Sequence, residues 1–309
     1  MKNFNFTENR WKFVIAPALI IVVGIIMFIV HGGFNFDVEF LGGTRMEVEM
    51  HTSFDNDEVA ELILDKTGAN AKVQLSGVST SRAVIKVQST DDDEATKNGV
   101  MDALKDKYGI ADEDLLSVNT ASASFGMETQ RKAFMYTLLA IICILIYIAI
   151  RFELKSAVMA VVALAINVLV MLSVYAITNI AINTTFIAAM LTIVGYSINN
   201  TIVIFDRIRE NMKYRKKNDS IFGLVNKSVG ETMGRTINST ITTLITIVLV
   251  YFLGVNTIKE FALPLIIGII AGAYTSIFIA SSFWAVWRDS EIKAKAAKAA
   301  ERRASKKSK

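Results

Sequence analysis

TFIAAMLTIVGYSINNTIVIFDRIREN, residues 185–211, carries no charge until Asp206, yet within residues 195–201 it places Tyr196, Ser197, Asn199, Asn200 and Thr201. A predominantly apolar helix of about 20 residues is what a hydrocarbon core requires. Five further segments meet the same test, residues 13–31, 133–151, 156–178, 237–254 and 260–287, with this one spanning 184–206. Across 309 residues, 52% are hydrophobic and the mean hydropathy is +0.42, so the chain reads as an α-helical membrane protein with six transmembrane helices. The last segment is long enough to tilt or to run into the interface. The first follows Lys2, Arg10 and Lys12 as a signal-peptide core would, but it is too long for one and no small-x-small site follows. It is expected to be an uncleaved anchor.

Basic residues set the expected orientation, because short Lys- and Arg-rich loops resist translocation. With the amino terminus in the cytoplasm, 22 of the 33 Lys and Arg residues fall inside: the 1–12 tail, Arg151 and Lys155, the 207–235 loop, and the 288–309 tail. The opposite short loops hold only Lys259. Both termini are therefore expected in the cytoplasm of a cell whose inner membrane the chain crosses, with residues 133–287 forming helices two to six. The basic face suits anionic lipid, and no motif points to nucleic acid.

Residues 32–132 form the one long segment outside the membrane, with 19 acidic residues against 10 basic ones. TRMEVEMH alternates as a strand, and a helix with Asp55 or Asn56 as its cap follows, with Val59, Leu62 and Ile63 on one face. AKVQLSG and SRAVIKVQS read as two strands joined at VST. A second helix through DDDEATKNGVMDALKDKYG keeps its acids early, Lys105 and Lys107 late, and stops at Gly109. DLLSVNTASA is the last strand. The order βαββαβ predicts a ferredoxin-like extracytoplasmic domain between helices one and two. In FNFDVEFLGGTRMEV, Gly42 and Gly43 are expected to break a strand at a turn with positive φ, ahead of Thr44.

Catalytic chemistry is hard to assemble from these residues. His31 and His51 lie 20 apart with no zinc-type spacing, and Asp91, Asp92, Asp93 and Glu94 read as a helix start, not a calcium loop. No metal, cofactor or enzymatic activity is expected. Cys143 is the only cysteine and falls in the second span, so the outer domain needs no disulfide.

Polar side chains inside the spans carry the functional signal. Thr192, Tyr196, Asn199, Asn200 and Val203 recur at helical spacing in the fourth span, and Arg235, Asn238, Thr242 and Thr246 do so in the fifth. The third contributes Asn167. These groups are expected to point inward, since an unpaired amide in hydrocarbon costs several kcal/mol. Two roles stay open: gluing helices at about 0.6 kcal/mol per hydrogen bond, or lining a path for an ion, water or peptide. Gly268, Gly272, Ser276 and Ala280 form a ridge for close helix packing. Asp206, Arg207, Arg209 and Glu210 are expected to pair at the interface, with Arg235 either joining them or reaching the polar stripe.

Several motifs together resemble the SecF family of translocase subunits, within the resistance-nodulation-division superfamily. They are FNFDVEFLGGTRMEV after the first helix with its Gly42, Gly43 and Thr44, IYIAIRFE, TFIAAMLTIVGYSINNTIVIFDRIREN, RTINSTITTL and GAYTSIFIAS. The resemblance implies a complex with a SecD-like subunit, assistance to a SecYEG-type channel, and use of an ion gradient to move a translocating polypeptide. Where the family carries an Asp in the fourth helix this chain has Asn200, and where it carries a His-Asp pair in the third it has Ile166 and Asn167. Arg235 matches the family's arginine. On the same superfamily architecture, a small-molecule or lipid exporter and a passive scaffold are the competing readings.

Overall fold

The computed structural model describes residues 5–75, 81–88, 93–151, 153–216, 219–254 and 256–307. Two compact units emerge, one of Met1–Phe34, Thr137–Ile180 and Thr185–Lys309, the other of Asn35–Tyr136 and Ala181–Thr184.

The first unit is helical. Six helices are long and apolar enough to cross a membrane: α1 (Arg10–Val30), α5 (Ala123–Arg151), α6 (Leu154–Thr178), α7 (Thr184–Lys213), α8 (Ile221–Leu253), and a sixth built from α9 (Asn256–Tyr274), a π-helical turn at Thr275–Ala280, and α10 (Ser281–Lys307). The expected spans are the cores of longer helices. Helix α8 begins 16 residues before the apolar span at 237, so most of the expected basic loop at 207–235 is helical. Its first half is amphipathic, burying Ile221, Val225 and Val229 with Phe205 and Trp284. The amino-terminal tail joins this packing, since Phe6 is buried and the Thr7 N–H donates to Asn226 Oδ1 at 3.2 Å.

Small residues set the helix spacing. A Cβ on Gly24 of α1 would fall 2.6 Å from Ser173 Cα of α6, and one on Gly268 would lie 2.6 Å from both Cγ atoms of Ile193. Gly272 faces Ser197 and Asn167 in the same way. The ridge read from the sixth span is thus a packing surface against α6 and α7.

The second unit is a four-stranded antiparallel sheet, β1 (Gly43–Glu49), β2 (Ala71–Leu75), β3 (Arg82–Val87) and β4 (Leu115–Ala121), in the order β2-β3-β1-β4. Helices α3 (Asn56–Thr67) and α4 (Asp93–Tyr108) complete the expected βαββαβ order. Asp55 caps α3 by accepting from the N–H groups of Asp57 and Glu58, and Gly109 ends α4 with φ +70°. Strand alternation sends Met46, Val48, Ile85 and Val87 into the core with Val59, Ile63, Val100 and Leu104. The joining turn at 78–80, and Asp91 and Asp92 of the acidic run, lie outside the described residues. One expectation fails: Val38–Leu41 is a short helix, α2, not a strand. Gly42 and Gly43 do take positive φ, +80° and +127°, to turn from it into β1.

The other sheet face is charged. Glu49 accepts from the Ser81 hydroxyl and from Arg82, which holds its carboxyl below the ordinary carboxylate range. Asp114 is lowered likewise, by the Ala111 N–H first and by His51 second. A lowered carboxyl contributes stability above its ordinary pKa and loses it as pH falls through the folded value. The unit's unfolding temperature is therefore expected to drop between about pH 5 and about pH 3, and Glu49→Gln to flatten that slope in thermal melts.

Candidate functional site

Helices α6 and α7 and the sixth helix meet at a buried polar cluster. Asn167 of α6 is fully buried; its Nδ2 donates to Ser197 Oγ of α7 at 2.5 Å, and its Oδ1 accepts from Thr275 Oγ1 at 2.6 Å. One turn further along, the hydroxyls of Thr201 and Ser276 bond each other at 2.7 Å. Gly272 leaves room for these side chains, because a Cβ there would stand 3.2 Å from Ser197 Oγ. Thr275 and Ser276 open the π-helical turn, a local widening of the helix often found at functional positions. A single amide thus links all three helices.

Asn200 lies one turn from Ser197 on the same buried side and is 4% exposed. Among the described residues its Nδ2 has no hydrogen-bond partner, and neither does the buried Thr240 Oγ1 on α8. An open donor in such a place costs about 1–3 kcal/mol.

Other candidate positions lie elsewhere. Thr192 and Asn199 are exposed, and half-buried Tyr196 sets its hydroxyl 3.4 Å from both the Ser239 carbonyl and Thr243 Oγ1 on α8. The stripe expected to point inward therefore divides, because Asn199 and Asn200 are 100° apart on a helix. On α8 the correction is complete: Arg235, Asn238, Thr242 and Thr246 are exposed, and the buried stripe is Thr232, Thr236 and Thr240. Spacing defines a stripe without saying which way it faces. Thr242 and Thr246 satisfy themselves by donating to the carbonyls of Asn238 and Thr242, four residues back. Arg235 has no such recourse, and no hydrogen bond or ion pair engages it among the described residues.

The interfacial cluster forms with one addition. Arg209 pairs with Asp206 at 2.8 Å, and Arg207 pairs with Glu210 at 2.6 Å. Arg207 Nε also meets Glu231 of α8 at 2.6 Å, and Asn211 donates to the same carboxylate at 2.9 Å. Arg235 stays outside it. In the sheet-bearing unit, Thr44 Oγ1 lies 3.2 Å from Thr120 Oγ1, and Gly126 approaches the Gly42 N–H and Phe40 carbonyl so closely that an added Cβ would stand 2.9 Å from each.

Sequence reasoning gave no role to Ser197, Thr201 and Thr275, and read Ser276 only as part of a packing ridge. Lone hydroxyls in an apolar helix look like ordinary filler until a partner helix is placed beside them. Among the described residues, no group of three or more His, Cys, Asp or Glu is placed to hold a metal ion.

Comparison with known proteins bears on the same elements. Residues 100–290 match the family model described as protein export membrane protein SecD/SecF, C-terminal. A protein translocase subunit SecF from Alicyclobacillus acidocaldarius is 36% identical over 287 residues, covering 92% of each chain. A protein translocase subunit SecDF from Bacillus subtilis is 35% identical over 295 residues, 94% of this chain and 39% of that one. The crystal structure of SecDF, a translocon-associated membrane protein from Thermus thermophilus, superposes with a TM-score of 0.81 at 28% identity, over 93% of this chain and 39% of its own. This chain thus spans well under half the length of the SecDF proteins and nearly all of the SecF one.

Proposed function

The chain belongs to the SecD/SecF family of protein export membrane proteins, and from that premise we propose that it works as the SecF-type half of a two-part accessory subunit of the Sec translocase. It is a multi-pass protein of the bacterial cytoplasmic membrane. The SecDF proteins, of which it matches 39%, support a SecD-like partner. The Lys and Arg distribution supports cytoplasmic termini and an outer sheet-bearing domain.

One observation carries the reading: Asn199 and Asn238 are exposed within the apolar spans of α7 and α8, and Arg235 is exposed at the edge of the second of these spans. An amide left facing lipid is costly, so this face needs protein or water against it. A SecD-like subunit with acceptors on its own membrane helices would supply that. Asn167 and Asn200 neither take up nor release a proton near neutral pH, so the titratable group of any gradient coupling belongs to the partner. The buried amides then keep the helix packing polar where the ion passes. Export of a polypeptide through a SecYEG-type channel would draw on that coupling.

Purification from the native membrane tests this directly. A second six-helix protein with its own outer domain should be retained, and Arg235→Ala combined with Asn238→Ala should lose it while the chain stays folded. Recovery of the chain alone, with normal secretion after its depletion, would overturn the reading.

A further inference from the structure

We propose that Asp37 and Glu39 are positioning residues, a strap by which the outer sheet holds the amino end of α7, the helix that carries Asn199 and Asn200. The role assigned to the strap rests on the functional reading above; its geometry does not.

Thr184 is the first residue of α7, and the first N–H groups of any helix lack an intrahelical acceptor. Glu39 Oε2 accepts from the Thr184 N–H at 2.9 Å and from its hydroxyl at 2.6 Å. A carboxylate suits that end of the helix dipole as well. Two backbone bonds reinforce the cap: the Asp37 N–H donates to the Ile182 carbonyl at 2.9 Å, and the Ile182 N–H donates to the Asn35 carbonyl at 2.7 Å. Phe36 and Ile182 form an isolated parallel bridge between them. At least four hydrogen bonds thus fasten residues 182–184 to residues 35–39.

The same short segment is fastened to the sheet by its other acid. The Asp37 carboxylate lies 3.0 Å from Lys86 Nζ of β3 and 3.4 Å from Arg45 Nη1 of β1, residues directly opposite each other in the ladder. Asp37 is 1% exposed. Neither end of the segment can shift without breaking buried or doubly bonded contacts. Residues 182–184 are thereby held within the sheet-bearing unit, and α7 starts from that held end. FDVEFLGG accordingly encodes two attachments and a turn: Asp37 to the sheet, Glu39 to α7, and Gly42 and Gly43 to swing the chain into β1.

Amide hydrogen exchange and gradient-stimulated export, both read on the full chain with its native partner, test the strap. Glu39→Ala should accelerate exchange at residues 184–187 about fivefold, the equivalent of losing a typical helix cap, and should reduce gradient-stimulated export. Glu39→Gln keeps an oxygen acceptor and should recover most of both. Lys66→Ala, which removes an exposed pair with Asp106, serves as the control and should change neither. Unchanged exchange in Glu39→Ala would overturn the strap, and faster exchange with undiminished export would overturn its positioning role. If the unsubstituted complex shows no gradient stimulation, the functional reading fails, and the exchange comparison still upholds or overturns the strap's hold on α7.

Discussion

Replacing Asp37 with alanine is expected to destabilise the sheet-bearing unit by about 3–5 kcal/mol, the cost of breaking a buried ion pair from one side. The reason lies in the register. Arg45, Lys86 and Lys72 stand in one row across β1, β3 and β2, with Lys86 directly opposite each of the other two. Like charges at opposed positions repel, and Lys86 is only 9% exposed, so water screens it poorly. Burial already draws the Lys86 ammonium below the ordinary lysine range, and the Asp37 charge is what opposes that shift. With the carboxylate gone, Lys86 must deprotonate or pull out of the sheet. Limited proteolysis and thermal melts of the intact chain would show early cleavage within residues 35–136. Asp37→Ala with Lys86→Met should recover much of the loss, since removing both charges of a buried pair is often neutral. A single variant within about 1 kcal/mol of the parent would contradict this account of the charged row.

The sheet-bearing unit was legible because its signals are local. Period-2 alternation in TRMEVEMH, the Asp55 cap and the Gly109 stop each act within a few residues, and the structure uses all three. The membrane helices were legible as apolar runs but not in length. The polar start of α8 is helical through amphipathic packing, which a search for uninterrupted apolar residues passes over. Segment 38–41 alternates like a strand yet folds as a turn of helix, because its ends are fixed by partners far away in the chain, Lys86 on one side and Thr184 on the other.

The polar site was legible only in part, for a geometric reason. Adjacent residues on a helix point 100° apart, so Asn199 and Asn200 cannot serve the same surface. One is exposed and the other buried. On α8 the stripe through Arg235 and the stripe through Thr236 are equally regular, and only the packing of the first half of the helix decides which one is inside. The family resemblance pointed to Asn167 and Asn200 as the altered positions. It could not say that Asn167 is bonded through both its oxygen and its nitrogen while, among the described residues, Asn200 Nδ2 is left open.

That difference makes Asn167→Ala more damaging than Asn200→Ala, at about 2–4 kcal/mol. The change deletes a group that bonds α7 and the sixth helix at once. It leaves a small cavity facing Gly272 and strips the Ser197 and Thr275 hydroxyls of their partner. The two hydroxyls do not lose equally. Thr275 Oγ1 already lies 3.3 Å from the Gly272 carbonyl and can turn to it, whereas Ser197 depends on the amide for an interhelical bond to α6. A double-mutant cycle separates these contributions. Asn167→Ala with Thr275→Val should come close to additive, while Asn167→Ala with Ser197→Ala should show coupling of about 1 kcal/mol or more. Thermal unfolding of the purified complex reads both. The comparison with Asn200→Ala follows: that side chain offers an open donor, so truncating it removes a burden as well as a group and should cost less than the Asn167 change. If the two truncations prove equal, Asn200 is bonded in the assembled complex, and its partner must be sought on a neighbouring subunit or in bound water.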